Sequence, residues 1–394
     1  MHNRWVGFVV FFAIVSLLLG AVHYYVWARL VRAPSLGDGW QRAGTITIWV
    51  LGLATPAGMV LGRVVPRQIG HWISLAIYVW FGLLVLLLSS LLASELVRLG
   101  LLGGSALAQR PFTAEHRLAL NRLLAAAVGA TALGAAAYGI WNVQREVPVR
   151  TVRVLLDKLP ASMSGFRIVQ LTDLHVGDGA RGAWLAGIVD RTNALAPDLV
   201  AITGDLVDGS VERLRDEIAC IGLLHAKHGV FFVTGNHEYY SGVQEWLPEL
   251  RRMGIRVLHN ERAAIVGADG QGFDLVGVDD PTGNGSGPGE GPDLGRALAG
   301  RDPSRELVLL AHQPREIDNA SAADVGLQLS GHTHGGQIFP WKYAVRLQQP
   351  YVAGLFRRGR TQIYVSSGTG YWGPPMRIGA PAEITVIELA APSG

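Results

Sequence analysis

From Trp5 to Trp27 the chain reads WVGFVVFFAIVSLLLGAVHYYVW without one charged residue. A helix of that length crosses the roughly 30 Å hydrocarbon core of a bilayer, so a transmembrane span is expected here. A secretory signal peptide has a shorter apolar stretch that ends at a small-residue cleavage site. Here the run continues past Gly20 into His23, Tyr24, Tyr25 and Trp27, which suits an interfacial aromatic belt and predicts a retained helix. Trp72 to about Leu92 carries the uncharged run FGLLVLLLSSLLA and predicts another span. Two further stretches complete the set: Thr45 to Val60, shorter and holding Pro56 and Gly58, and Leu123 to Trp141, rich in Ala and Gly. Membrane helices tolerate proline where neighbours satisfy the freed backbone groups, and small residues let them pack closely. A composition of 49% hydrophobic and 16% charged residues is more apolar than that of an ordinary globular chain. Residues 1–145 are therefore expected to form a transmembrane region of about four helices.

Lysine and arginine in the flanking loops set membrane orientation. Arg4, Arg63, Arg67, Arg145, Arg150, Arg153 and Lys158 would lie on one side, against Arg29, Arg32, Arg42, Arg98, Arg110, Arg117 and Arg122 on the other. Seven against seven favours neither. An even number of spans puts the N-terminus and the C-terminal domain on the same side of the cell membrane, expected to be the cytoplasmic one. Ionisable residues within the spans are few, with Arg63 and Glu95 near segment ends, which argues against a transport path. The net charge of +3 comes without a dense Lys/Arg run or basic stripe, so no nucleic-acid partner is expected. Cys220 is the only cysteine, which excludes an intrachain disulfide.

After Arg150 the pattern changes to short apolar runs separated by helical or Gly-punctuated segments, as in a layered α/β domain. Strands are expected at Phe166–Thr172, Leu199–Thr203, Val230–Thr234, Ile255–Leu258, Phe273–Val278, Glu306–Leu310, Gly326–Ser330, Gln362–Val365 and Glu383–Leu389. Helices are expected at Trp184–Leu195 and near Val211–His225. The stretch PTGNGSGPGEGP reads as a loop with no means of packing a core.

Polar motifs follow these strands directly: TDLH with Asp173 and His175, GDLVD with Asp205 and Asp208, GNHE with Asn236 and His237, AHQP with His312, and GHTH with His332 and His334. Open α/β sheets bind ligands at the carboxyl ends of their strands. Carboxylate and amide oxygens mixed with imidazoles suit Mn, Fe, Zn or Co better than Mg alone, and the thiolates that softer sites use are absent. The donors exceed what one tetrahedral ion needs, and a pair of ions requires a bridging ligand such as a short aspartate.

In this order the motifs resemble the calcineurin-like metallophosphoesterase superfamily, over about Arg153 to Leu389. GNHEYY, AHQP, SGHTHGGQI and the closing YVSSGTGYWGPPMRIGAPAEITVIEL resemble its membrane-associated bacterial branch, which contains YkuE- and YaeI-like phosphoesterases and an enzyme hydrolysing UDP-2,3-diacylglucosamine. The resemblance implies a four-layer sandwich, two mixed β-sheets flanked by helices, over residues 150–390. It implies that Asp173, His175 and His334 hold one divalent ion, that Asn236, His312 and His332 hold the other, that Asp205 bridges, and that His237 is catalytic. The expected activity is hydrolysis of phosphodiester or pyrophosphate bonds, with a lipid or cell-envelope precursor as substrate. The alternative is a non-enzymatic scaffold or sensor on the same fold. For Asp208 two readings stand: orientation of His237 or of a ligand histidine, since such imidazoles usually donate their second N–H to a carboxylate, or the N-cap of the helix near Val211. Tyr371, Trp372 and Met376 in YWGPPMR form either a surface for lipid or glycan or a packed loop.

Overall fold

The computed structural model describes residues 2–177, 182–287 and 289–392. The chain divides into two compact units: residues 1–141 with Gly373–Met376, and residues 142–372 with 377–394.

In the first unit, α1 (His2–Trp27), α2 (Asp38–Val64), α3 (Arg67–Leu107) and α4 (Ala114–Gln144) follow one another, with a π-helical turn at Ala28–Arg32. Among the described residues three helical stretches are long and apolar enough to cross a membrane: Ala13–Arg32, Ile69–Leu107 and Ala114–Gln144. Thr45–Val60 lies inside α2, which carries Pro56 and stands outside that set. α3 runs well beyond Leu92, so Glu95 sits inside the helix rather than at its end. There it meets Arg29 Nε at 2.9 Å and Arg98 Nε at 3.5 Å. Within this apolar unit the hydrogen-bonding groups of Trp80 and His23 are matched to each other, Trp80 Nε1 donating to His23 Nε2 at 3.2 Å.

The second unit holds two six-stranded sheets. The first contains β1 (Val149–Leu155), β2 (Arg167–Leu171), β3 (Leu199–Thr203), β4 (Val230–Val233), β5 (Arg256–Val257) and β12 (Ile384–Ala390), in the order β1-β12-β2-β3-β4-β5. The second contains β6 (Glu261–Val266), β7 (Gly272–Gly277), β8 (Glu306–Leu310), β9 (Leu327–Ser330), β10 (Gly354–Arg358) and β11 (Thr361–Val365), in the order β10-β11-β9-β8-β7-β6. Both are mixed. β2, β3, β4 and β5 run parallel, as do β7, β8, β9 and β11, while β12 against β2, β6 against β7 and β10 against β11 are antiparallel.

Strand periodicity of two sends alternate side chains to opposite faces. Ile168, Leu199, Ala201, Phe231 and Val233 from the first sheet meet Phe273, Leu275, Val308, Leu310 and Tyr364 from the second in one buried cluster. The intervening residues Val169, Leu171, Val200, Ile202 and Phe232 pack instead with α5 (Gly182–Ala194), α6 (Val211–Ile218), α7 (Asn236–Ser241) and α8 (Val243–Arg252) through Leu185, Leu214, Tyr239, Trp246 and Leu250. Leu307 and Leu309 face outward from the second sheet to Ala320 and Val325. Full burial of one such side chain stabilises by about 1.5–3 kcal/mol, and the alternation leaves each sheet apolar on both faces. Helix, sheet, sheet, helix is the arrangement that satisfies this pattern, and the expected four-layer architecture of two mixed sheets flanked by helices holds.

Candidate metal centre

The motif loops leave the carboxyl ends of β2, β3, β4, β8 and β9, all parallel within their sheets. The pairing of β2 with β3 continues past both strands. Asp173 N donates to Gly204 O at 3.1 Å, His175 N to Asp205 O at 3.0 Å, Val176 N to Leu206 O at 2.9 Å and Asp208 N to Val176 O at 2.9 Å. This extension, which includes a parallel bridge between Val176 and Val207, lays the TDLH and GDLVD loops side by side. Asp173, His175, Asp205, His332 and His334 all take positive φ, between 46° and 70°. That conformation costs an L-residue about 1–2 kcal/mol, and strain of this kind concentrates where a site is held in one geometry. Gly204, at φ +87°, permits a close approach, since a Cβ there would lie 2.6 Å from His312 Nδ1 and 2.7 Å from Gly235 N.

The expected residues converge in two groups. Asp173, His175 and His334 form the first, and Asp205, His312 and His332 the second. His175 Nε2 is 3.0 Å from His334 Nε2, and Asp173 Oδ1 is 3.3 Å from the same nitrogen. Asp205 Oδ2 lies between the groups, 3.7 Å from His175 Nε2 and 3.1 Å from His312 Nε2. Asn236 Oδ1 is 3.0 Å from His332 Nδ1 and so belongs to the second group. A third group joins His175, Asp208 and His237, and a fourth, His259, Asp279 and Glu290. In the fourth, His259 Nδ1 pairs with Asp279 at 2.8 Å.

The donor chemistry fits divalent ions. His312 Nδ1 lies 2.8 Å from the Thr203 carbonyl, which can only accept, so Nδ1 carries the hydrogen. In the neutral ring Nε2 then turns a lone pair toward Asp205 Oδ2, and no hydrogen bond satisfies it. Two lone pairs at that separation need a cation between them, a place that a proton on Nε2 fills without metal and that a divalent ion would take when bound. Burial, reinforced by the charge of His312, pushes His332 down to about 3. Burial, with His175 and Arg377 adding to it, holds His334 well below the usual imidazole range. Both therefore stay neutral, the form in which histidine ligates metal. Burial raises Asp173. For Asp205 burial acts in the same direction, but His312, His175 and His237 outweigh it and keep the carboxylate ionised. Asp205 and His312 therefore favour each other's charged forms: burial depresses His312, yet Asp205 and Asp173 lift it well above the normal value.

Asp208 Oδ1 meets two rings, His175 Nδ1 at 3.0 Å and His237 Nδ1 at 2.6 Å. Ser210, not Asp208, occupies the N-cap position of the helix after it, and makes no side-chain capping bond there. His237 also donates its backbone N–H to Asp205 Oδ1 at 2.9 Å. Burial lowers its pKa, but Asp208 and Asp205 outweigh burial and push it up to about 9, so the ring is cationic near neutral pH. Tyr240 and Trp372 flank it, with ring centroids 5.3 and 5.7 Å away. Trp372 is half exposed, whereas Met376 is fully buried and so presents no surface to a ligand.

Two supporting residues escaped the sequence reading. Glu238 is fully buried and accepts from Asp205 N at 3.0 Å, Leu206 N at 2.8 Å and Gly235 N at 2.6 Å, tying GNHE to GDLVD. Burial and the charge of Asp205 push it up to about 7. Its place three residues into GNHE, at the N3 position of α7, is a capping-box signal. Arg377 is buried too, donating to the carbonyls of Ser367, Gly370 and Ala380 and lying 3.3 Å from His334 Nδ1. No local pattern marks it.

A family model described as calcineurin-like phosphoesterase matches residues 166–336. A protein of Danio rerio named transmembrane protein with metallophosphoesterase domain is 37% identical over 95% of this chain and 87% of its own length. An uncharacterized metallophosphoesterase of Campylobacter jejuni is 32% identical over 97% of this chain and 98% of its own. The uncharacterized metallophosphoesterase YkuE of Bacillus subtilis is 31% identical over 59% and 81% respectively. The chain belongs to the calcineurin-like phosphoesterase family, and its relatives span animals and bacteria.

Proposed function

We propose that the protein is a membrane-anchored phosphoric ester hydrolase that works with two divalent ions on phosphodiester or pyrophosphate bonds. The observation that carries this reading is the pair of donor groups sharing Asp205, with the His237–Asp208 pair alongside. Asp173, His175 and His334 would hold one ion, Asn236, His312 and His332 the other, and Asp205 would bridge. When bound, such ions neutralise phosphoryl oxygens and acidify water. Asp208 holds His237 by Nδ1, which leaves Nε2 to give a proton to the departing oxygen or to stabilise its charge. The same aspartate fixes the tautomer of His175, so that Nε2 presents its lone pair. Glu238 keeps Asp205 and the backbone of α7 at a fixed separation.

The substrate class follows from location. With α1, α3 and α4 crossing a bilayer, and α2 as a fourth span, the domain works at high effective concentration beside the membrane. That favours a lipid-linked diester or pyrophosphate, a class that includes UDP-2,3-diacylglucosamine. Four spans would put the N-terminus and the hydrolase domain on one side of the membrane, which we read as the cytoplasmic side and which protease accessibility in sealed vesicles tests. The activity is tested by turnover of bis-p-nitrophenyl phosphate in the presence of Mn, with Asp205→Ala and His237→Ala expected to abolish it. Full activity in both variants refutes the proposal, and inertness of the metal-loaded protein toward monoesters, diesters and pyrophosphates favours the scaffold reading.

A further inference from the structure

Directly after GHTHGGQI the chain runs FPWKYAVRL, residues 339–347. Its large apolar side chains point into solvent: Phe339 is 50% exposed, Trp341 57%, Tyr343 56% and Leu347 87%. Soluble surfaces rarely gather such residues without a partner. The backbone beneath them is closed on itself, with Trp341 N donating to Ile338 O, Tyr343 N to Pro340 O, Ala344 N to Trp341 O and Leu347 N to Ala344 O, at 2.8 to 3.1 Å. Backbone groups satisfied within a segment are a condition for entering an apolar phase. The segment is also fixed to the metal motif. A Cβ on Gly336, at φ +83°, would lie 2.6 Å from Lys342 N, so the turn rests directly on the glycine two residues beyond His334.

The charges select the occupant. Lys342 and Arg346 are exposed, and Lys342 Nζ lies over the Phe339 and Tyr343 rings, 5.7 and 5.2 Å from their centroids. From Gln337 to Arg360 there is no Asp or Glu. Trp, Tyr and Phe interleaved with Lys and Arg match the layer where acyl chains meet headgroups: rings enter, amphipathic stems snorkel outward, and basic heads meet anionic lipid. We propose that residues 339–347 are a membrane-interface anchor that seats in an anionic leaflet and holds the rim of the metal pocket at the lipid surface. The inference rests on the reading that α1, α3 and α4 span a bilayer, which supplies that leaflet.

The test uses the full chain in a Cys220→Ser background, with single cysteines introduced by Trp341→Cys, Leu347→Cys, Leu223→Cys or Leu92→Cys. Each is labelled with an environment-sensitive fluorophore in nanodiscs of phosphatidylcholine and phosphatidylglycerol. Doxyl lipids are expected to quench labels at 341, 347 and 92, with iodide quenching only 223. Iodide quenching at 341 and 347 with 92 still in lipid overturns the anchor alone. An aqueous signal at 92 overturns the spanning reading and the anchor together. Shielding of 347 that appears only in discs carrying two copies overturns it in favour of self-docking. Lys342→Glu combined with Arg346→Glu should abolish the lipid signal at 347, and its persistence refutes the role of anionic lipid.

Discussion

Asp208→Asn isolates the one carboxylate oxygen that serves two imidazoles. Oδ1 lies 3.0 Å from His175 Nδ1 and 2.6 Å from His237 Nδ1. An asparagine oxygen in the same place still accepts, but without the charge. A hydrogen bond to an ionised group contributes about 1.5–3 kcal/mol and a neutral one about 0.5–1.5. The substitution therefore removes about 1–1.5 kcal/mol from each of two bonds, about 2–3 kcal/mol together. That corresponds to a loss of roughly 30- to 150-fold in kcat/KM, near the 10- to 100-fold typical of residues that support metal ligands. The assay is hydrolysis of bis-p-nitrophenyl phosphate by the full chain in detergent at saturating Mn. The His237→Ala background is expected to lack turnover, so there the remaining His175 bond is read by metal affinity, and Asp208→Asn should weaken Mn binding roughly 5- to 12-fold. An effect on kcat/KM within about twofold of the parent, or unchanged Mn affinity in the His237→Ala background, refutes the shared-oxygen argument.

Three further outcomes follow from the same geometry. Glu238→Gln keeps the shape but turns an amide NH₂ toward a backbone N–H that now donates to the carboxylate, so thermal unfolding should show a loss of about 2–4 kcal/mol. Gly204→Ala should lower metal affinity measured by competition with a chelator, because its Cβ would press on His312 and Gly235 at a positive φ; unchanged affinity contradicts the close-approach argument. The hydrogen bond to Asp279 raises the pKa of His259. A group whose folded pKa exceeds its unfolded value near 6.5 stabilises fully below that pH, and its contribution is lost as pH rises through the folded pKa. Asp279→Asn should therefore flatten the fall in melting temperature above pH ~6.5, and an unaltered slope would count against the pairing.

The interior strands were legible because they are buried on both faces. β3, β4 and β8 are largely apolar runs, β2 and β9 each carry one buried glutamine, and all five lead into a polar motif. Three strands were not anticipated: β1, β6 and β10, all at sheet edges. VRTVRVL in β1 and GLFRR in β10 are mostly exposed, and only the partner strand makes such segments extended. β6 alternates burial but does so with two alanines, a weak signal. The same distinction runs through the site. The donor residues were legible as motifs because short polar sequences at strand ends survive without tertiary context. Asp208 was legible only as a choice between orienting a histidine and capping the helix near Val211, and that one oxygen meets both His175 and His237 depends on the ladder that continues from Val176 to Val207. Arg377 lies 43 residues beyond His334 in the chain and is brought to it only by the folded arrangement.

The central claim is that Asp205 joins two donor groups into one two-ion centre. Metal content per chain, measured by mass spectrometry on the purified full-length protein and on Asp205→Ala, tests it most directly. The account predicts two divalent ions per chain in the parent and fewer in the variant. A single ion in the parent, or two ions retained in Asp205→Ala, would contradict it.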